Sequence, residues 1–330
     1  MKVLVAGGAG YIGSHTVKRL LEAGHQPVIY DNLSRGHRSV GDILKVPFIA
    51  ADLNDRATLV AALKEHRIEA VMHFAAYAYV GESVDKPLMY YQNNVATTVS
   101  VLQSMQEVGV QQFVFSSTCA VYGDPDQIPI TEDEKKAPVS PYGRSKWMVE
   151  QILQDTQAGW KDFKFAALRY FNASGCAMDG SLGEDHDPET HLIPVVLQAI
   201  QGQHPGITIF GTDYPTKDGT NVRDYIHVDD LADAHILAMG KLDDLKQIAC
   251  NLGTGAGFSV KEIIATAEKV TGKQAPVTFG PRRAGDAIAL YADPSRAKKL
   301  LGWEAKHKDP ESIIRSAWNW FEKHPRGYGG

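Results

Sequence analysis

The first thirteen residues carry the tightest constraint on the fold. Val3-Leu4-Val5 is a short apolar strand that runs straight into GGAGYIGSHT, with glycines at Gly7, Gly10 and Gly13. A helical face carrying Ile12, Thr16, Leu20 and Ala23 follows, and Gly24 closes it. In a strand–glycine–helix unit one glycine permits the tight turn and another lets the backbone approach a phosphate. The last lets the helix pack closely on the strand. The helix N-terminus, with Tyr11 and Ile12 in its first turn, then offers free N–H groups and a positive dipole end to an anion.

The same pattern repeats through the first half. Pro27-Val28-Ile29-Tyr30 ends at Asp31, and Phe48–Ala50, Ala70–Phe74, Phe113–Phe115 and Phe165–Leu168 are further apolar runs with helical segments between them. Strands apolar on both faces belong in a parallel sheet covered by crossover helices, so the fold class is α/β, a doubly wound, Rossmann-like parallel sheet. Beyond Asn172 the regularity fades into a stretch rich in Gly, Pro, Asp and Thr, with one clear helix at Leu192–Gln201 and two more in the tail. The expected division is a dinucleotide-binding domain over residues 1–172, rejoined by about 226–252, and a smaller, interleaved α/β substrate domain over 173–330.

Asp31 lies 18 residues after Gly13, where a carboxylate accepts both ribose hydroxyls and repels a 2′-phosphate, so the expected cofactor is NAD. Arg35 and Arg38 read as solvated loop arginines. Asp52, after the third strand, suits either the adenine edge or the approach to a helix. Tyr142 and Lys146, in SPYGRSK, stand at i and i+4 on one helical face. A phenol working as a base near neutrality must lose about 3 pKa units, and a neighbouring ammonium plus a cationic nicotinamide ring favour the phenolate. Thr118 ends the run Phe115-Ser116-Ser117-Thr118 at the carboxyl edge of a buried strand, where doubly wound sheets bind ligands. Its hydroxyl suits either proton relay or strand-end capping.

With these residues in place, the chain resembles the extended short-chain dehydrogenase/reductase family, and within it the UDP-glucose (UDP-galactose) 4-epimerases. The likeness rests on GGAGYIGSHT, VGESVDKPLMYYQNNV, SSTCAVYG, SPYGRSK, LRYFNASG, GTDYPTKDGTNVRDYIHVDDLADAH and PRRAGD. It implies transient oxidation at C4 of a UDP-sugar by bound NAD, turning of the 4-keto sugar, and return of hydride to the other face. Thr118, Tyr142 and Lys146 are then catalytic. Asn32, Leu53, Phe74, Ala75, Ala76, Asn93, Ser116 and Tyr170 join the residues above in holding NAD. Phe171, Asn172, His191, Leu192, Arg223, Leu290, Arg283 and Asp286 contact the UDP-sugar along with Thr118 and Tyr142. The resemblance also implies a homodimer paired through helices around Val95–Val108 and Tyr142–Gln154, with Val99, Leu102, Trp147 and Ile152 as apolar residues on their faces.

Three positions depart from that pattern: Ala78 in place of a cofactor-contacting lysine, Thr190-His191-Leu192 in place of Asn-Asn-Leu, and Leu290 beside the sugar. HFAAYAYVGES and SSTCAVYG also resemble UDP-xylose/UDP-arabinose 4-epimerases. Cys119 and Ala120 after Thr118 argue against a 4,6-dehydratase, which carries an acidic pair there, and the retained Tyr-Lys pair argues against a non-enzymatic NAD-sensing module. A net charge of -5 with both signs interspersed excludes a nucleic-acid stripe. No long apolar run spans a membrane, and the three scattered cysteines make neither a disulfide framework nor a CxxC site, so a cytoplasmic enzyme is expected. Cys119 reads as a packed thiol. Glu184, Asp185, His186, Asp187 and His191 fall in a turn-rich loop with no helix to set HxxxH geometry, so no metal is expected there.

Overall fold

The computed structural model describes residues 1–283 and 286–329, so Ala284 and Gly285 of the PRRAGD stretch lie outside the described residues. Its centre is a seven-stranded sheet. We label its first six strands β1 (Lys2–Ala6), β2 (Gln26–Asp31), β3 (Phe48–Ala50), β4 (Ala70–His73), β5 (Gln112–Ser116) and β6 (Lys164–Arg169). The seventh strand, Gln247–Asn251, pairs in parallel with β6, giving the order seventh–β6–β5–β4–β1–β2–β3. Every pairing in this sheet is parallel. The strand order reverses between β1 and β4, which opens a crevice at their carboxyl ends.

Alternation along each strand feeds two cores. Val3 and Val5 of β1 join Val114, Ala166 and Leu168 on one face, beneath the helices Tyr11–Glu22 and Val228–Leu245. Leu4 and Ala6 join Phe113, Phe115 and Phe165 on the other, beneath Arg56–Glu65, Thr97–Val108 and Pro141–Gly159. Because successive side chains point to opposite faces, continuous apolar strands are what a sheet covered on both sides requires. A third core lies outside the sheet, where Ile193, Val196, Ile263, Ile313, Ala317 and Trp320 bring together the helices Leu192–Ile200, Val260–Thr271 and Pro310–Lys323.

Two local readings change. Among the described residues the tail holds three α-helices rather than two, the extra one being Ser295–Leu301. It buries only Ala297 and Leu301, too short a repeat to show as a helical period. The helix expected from Val95 starts at Thr97, and Tyr91–Ala96 before it is a π-helical turn packed against Pro141–Gly159. Of the apolar residues assigned to a subunit interface, Leu102 belongs to the second core, Ile152 packs on that core, and Trp147 packs around Cys119 and Tyr122. Exposed apolar residues nearby include Val80, Val84, Leu88, Val139 and Met148.

Beneath the carboxyl ends of β5 and β6 lies a buried ion pair. Arg169 Nε donates to Glu150 Oε1 at 2.9 Å and Nη2 to Oε2 at 2.5 Å, and both side chains are at most 4% exposed. Ser117 Oγ donates to the same Glu150 Oε1 at 2.5 Å. Breaking such a pair strands a buried charge, at a cost of about 3–5 kcal/mol. Arg169→Met should therefore lower the urea midpoint of the folded chain markedly. A midpoint equal to wild type would show that the pair does not hold these strand ends together.

Candidate active site

The crevice at the switch between β1 and β4 is lined by Gly7, Gly10, Asp31, Asn32, Asp52, Leu53, Phe74, Ala75, Ala76 and Asn93, all singled out from the sequence. Gly7 adopts φ +79°, and a Cβ there would come within 2.5 Å of Ala75 N, so both turn and packing demand glycine. Gly10 is different. Its Cβ would meet only Gly7 O, at 3.5 Å, so no protein atom excludes a side chain there. It caps the helix Tyr11–Glu22 and opens onto the crevice, which is what backbone approach by a diphosphate needs. Gly13 packs inward, where a Cβ would stand 2.1 Å from Gly7 O.

Asp31 is buried and accepts Ala9 N–H at 3.0 Å and Leu33 N–H at 2.8 Å. Burial pushes its carboxyl up, while these two N–H groups pull it back. A carboxylate accepts about four hydrogen bonds, so acceptor capacity remains for ribose hydroxyls. Asp52 accepts Asn32 Nδ2 at 2.9 Å and Asn54 N–H at 2.8 Å. Partial burial works against these bonds, but they win and hold its carboxyl below the usual range. These features fit a dinucleotide with an unphosphorylated ribose. Tyr11, Ile12 and Gly13 do not line the crevice. The Tyr11 hydroxyl donates to Gly175 O at 2.6 Å and Ile12 packs on the first core, so both anchor the helix that presents Gly10.

Thr118, Tyr142 and Lys146 lie at the carboxyl end of β5, on the loop after it and on the helix Pro141–Gly159. Ser140 caps that helix by accepting Gly143 N–H at 3.1 Å, and Pro141 supplies its first turn. Lys146 is buried and donates to Ser116 O at 2.7 Å, with its Nζ 4.8 Å from the Phe115 ring centroid. Burial lowers its ammonium to about 7, and Glu150 one turn further along opposes the fall. The Tyr142 phenol is pushed up to about 12 by burial, and the Thr118 hydroxyl pulls it partly back. The sequence reading placed the ammonium against the phenol, but Lys146 instead spends its bond on the strand-end carbonyl of Ser116. Thr118 Oγ1 accepts Ala120 N–H at 3.1 Å, so it caps the turn Cys119–Val121 while its O–H stays free to donate. Ser116 Oγ is bonded to the Tyr170 hydroxyl.

The residues assigned to the sugar nucleotide lie beyond this group. Phe171 and Leu290 pack on one small cluster with Cys119, Tyr122 and Ile130. Cys119 is buried and burial raises its thiol, so it is a packed and unreactive group. Asn172 Nδ2 donates to Asp224 O at 3.0 Å. Arg223 pairs with Asp286 at 2.8 Å, and the Arg283 guanidinium lies 3.9 Å from the Phe210 ring centroid. Leu192 opens the helix Leu192–Ile200 and packs on the third core. His191 caps that helix, but its Nδ1 stands 2.7 Å from Glu184 Oε1.

Sequence reasoning missed part of the crevice. Arg35, Tyr77 and Thr97 line it. Arg35 is not merely solvated: it lies over Tyr77 and Tyr79 at 5.8 and 5.2 Å and donates to Asp187 O at 3.0 Å. Arg38 is exposed and covers Phe48 at 4.1 Å. Asn94 fixes the crevice wall by accepting Tyr77 N–H at 2.9 Å and donating to Ser145 Oγ at 3.1 Å. The Asn93-Asn94 doublet was the available signal. Ala78 is exposed and does not line the crevice.

The sequence profile of the NAD dependent epimerase/dehydratase family matches residues 3–253. The chain is 49% identical to a UDP-glucose 4-epimerase of Lacticaseibacillus casei over 100% of this chain and 99% of the relative. It resembles the crystal structure of UDP-glucose 4-epimerase from Brucella ovis in complex with NAD at TM-score 0.94 and 48% identity, covering 97% of this chain and 98% of that one. A Bifidobacterium longum UDP-glucose 4-epimerase in complex with NAD+ and UDP matches at TM-score 0.94 and 40% identity, over 99% and 100% of the two chains.

The glycines yield a paired test. Gly10→Val should leave thermal stability near wild type but abolish dinucleotide retention, measured by calorimetry and by analysis of the extracted cofactor. Gly13→Val should instead fail to fold. Normal cofactor content in Gly10→Val would remove Gly10 from the diphosphate site.

Proposed function

The chain belongs to the NAD dependent epimerase/dehydratase family, and on that premise we propose that it interconverts UDP-glucose and UDP-galactose by 4-epimerisation. The observation that carries this is the Tyr142 phenol against the Thr118 hydroxyl, with Lys146 held on Ser116 O, at the carboxyl edge of β5. NAD, when bound, supplies the oxidant for C4 and a positive ring that favours the Tyr142 phenolate. Gly7, Gly10, Asp31, Asp52 and Asn93 would hold it, with the Asp31 carboxylate set against a 2′-phosphate. Lys146 would orient the nicotinamide ribose. Tyr142 would take the proton from O4, with Thr118 donating to or relaying for it, and return that proton once C4 has been reduced on its other face. The turn of the 4-keto sugar needs a firm hold on the nucleotide and a loose hold on the hexose. Arg223 and Arg283 would supply the first, since guanidinium groups bind phosphate oxygens in pairs. Asp286, Asn172 and the helix start at Leu192 would complete it.

Removing only the phenolic oxygen tests the base. Tyr142→Phe should fold, keep NAD and bind UDP-sugar, yet lose about 10²–10⁴-fold in turnover or more, the usual worth of a positioned proton-transfer group. Near wild-type epimerisation by that variant would assign the chemistry elsewhere.

The chain as proposed has a two-part layout, residues 1–172 with about 226–252 serving the cofactor and the remainder serving the sugar nucleotide. It is proposed to act in the cytoplasm as a homodimer. Val84, Leu88 and Met148, 62%, 81% and 41% exposed, cluster on segments packed around the helix Pro141–Gly159, and a second copy of that face would cover them. All three cysteines are free, which suits a reducing compartment, and among the described residues no helix is long and apolar enough to cross a membrane.

Leu290 is the proposed limit on the sugar. It packs with Phe171 beside Thr118's turn and offers neither space nor a hydrogen bond to a 2-acetamido group. Overfilling a packed site costs about 1–3 kcal/mol, and an unpaired buried amide about as much again. Discrimination against UDP-GlcNAc should then reach roughly a hundredfold or more. In product assays, Leu290→Ser should gain UDP-GlcNAc turnover and lose some UDP-galactose turnover. Equal use of both sugars by the wild type would show that Leu290 sets no such limit.

A further inference from the structure

The loop before the helix Leu192–Ile200 gathers a set of donors of which the epimerase reading uses only His191. Glu184, His186, Glu189 and His191 each direct one atom to a common point, all four atoms lying within 4.8 Å of one another. His186 Nδ1 is 3.4 Å from Glu184 Oε1 and from Glu189 Oε2, while His191 Nδ1 is 2.7 Å from Glu184 Oε1 and 3.4 Å from Glu189 Oε1. These are ion-pair contacts rather than aligned hydrogen bonds. Glu184 Oε1, His186 Nδ1, Glu189 Oε2 and His191 Nδ1 are all buried and none has a hydrogen-bond partner. The Glu184 and Glu189 side chains are 2% and 5% exposed. A carboxylate oxygen sealed from water without an aligned hydrogen bond is costly, and the convergence of these four atoms is one that a bound cation would satisfy.

We propose that Glu184, His186, Glu189 and His191 bind a zinc ion in a structural site. Two imidazole nitrogens exclude magnesium and calcium, which take six or more oxygen ligands. Four mixed nitrogen and oxygen ligands suit tetrahedral zinc, and bonds of about 2.0–2.1 Å place such ligands roughly 3.3 Å apart. The two contacts of His186 Nδ1, with Glu184 Oε1 and Glu189 Oε2, match at 3.4 Å, while His191 Nδ1 stands tighter on Glu184 Oε1 at 2.7 Å. With neutral imidazoles the quartet carries two negative charges, which a divalent cation balances. Four protein ligands leave no position for substrate, so the ion holds structure rather than performing chemistry.

The sequence argued against a metal here because the loop has no helix to space its histidines. The loop supplies that spacing itself. Glu189 Oε1 accepts Thr190 N–H at 2.7 Å and His191 N–H at 2.8 Å, which turns Oε2 toward His186. The carbonyls between the ligands are tied outward: Asp185 O to His37 Nε2 at 2.9 Å, Asp187 O to Arg35 at 3.0 Å, and Pro188 O to the Tyr79 hydroxyl at 3.1 Å. Arg35 lines the dinucleotide crevice. The ion would therefore brace this wall of the crevice together with the start of the helix Leu192–Ile200.

The test uses the full chain stripped with a chelator and then titrated with Zn2+ or Co2+. About one zinc per chain should be retained after desalting, and cobalt should give the intense visible absorption of a tetrahedral site. Zinc should also raise the thermal midpoint. His186→Ala and Glu184→Gln should each lose metal affinity by at least about tenfold, since losing even an outer-shell partner costs that much. Circular dichroism and NAD content of the two variants establish that they are folded. A stripped wild type that gives only the weak spectrum of hydrated cobalt, with a midpoint unmoved by zinc, would show the quartet to be a set of ion pairs and overturn the proposal. So would equal zinc content in wild type and folded His186→Ala. Epimerase activity is recorded separately, so failure of the metal site leaves the reading of Tyr142 and Lys146 intact.

Discussion

The proposed catalytic geometry hangs on a carboxylate and a guanidinium buried together under the strand ends. Glu150 sits one turn beyond Lys146, which sits one turn beyond Tyr142, so a single helical face carries base, cation and anchor. Glu150 grips Arg169 at the end of β6 and accepts Ser117 Oγ just past β5. Arg169 continues to the Tyr122 hydroxyl at 2.8 Å, and that hydroxyl donates to Asn251 Oδ1 at 2.6 Å, at the end of the seventh strand. One connected set of bonds therefore fixes the helix against three strand ends. A buried ion pair adds little net stability over an apolar replacement, so its contribution here is register. Thr118 follows Ser117 directly, and sliding the helix by even part of a turn would separate it from Tyr142.

That anchoring also explains the electrostatics. Burial drives Lys146 down to about 7 and Tyr142 up to about 12, so the protein by itself favours the uncharged form of both groups. Glu150 is the internal counterweight, raising Lys146 against its desolvation. The Lys146–Ser116 bond then places the ammonium at the strand edge rather than on the phenol. As the proposed base, Tyr142 would gain from positive charge brought next to it.

How far the sequence could be read follows from the range of each interaction. The strands were legible because residues such as Val3, Leu4 and Val5 are buried on both faces and leave no polar alternation to mislead. Gly7, Gly10 and Asp31 were legible because local backbone needs set their spacing. Arg35 was misread as solvated because its partners, Tyr79 and Asp187, lie far along the chain or on a separate loop. Glu150 and Arg169 escaped notice for the same reason: nothing in either local sequence announces a partner 19 residues away. The loop at 184–191 displayed its donors openly, yet their convergence depends on turns that have no periodic signature.

The sugar-nucleotide half shows how one pair of groups can be ordered and still remain available. Arg223 and Asp286 are joined at 2.8 Å, and Arg223 Nη1 also donates to Val222 O and Ala287 O. Both side chains are mostly buried, so leaving either unpaired would cost more than the pairing does. A guanidinium has five donors in a rigid fork, and a carboxylate accepts about four bonds. The pair can thus persist while Arg223 turns a remaining donor to a phosphate and Asp286 a remaining lone pair to a ribose. Leu290 stands opposite Arg223 in the strand register, so the backbone that aligns this ion pair also sets Leu290 beside Phe171. On the proposed reading, nucleotide grip and sugar selection would thus rest on the same short strand pairing.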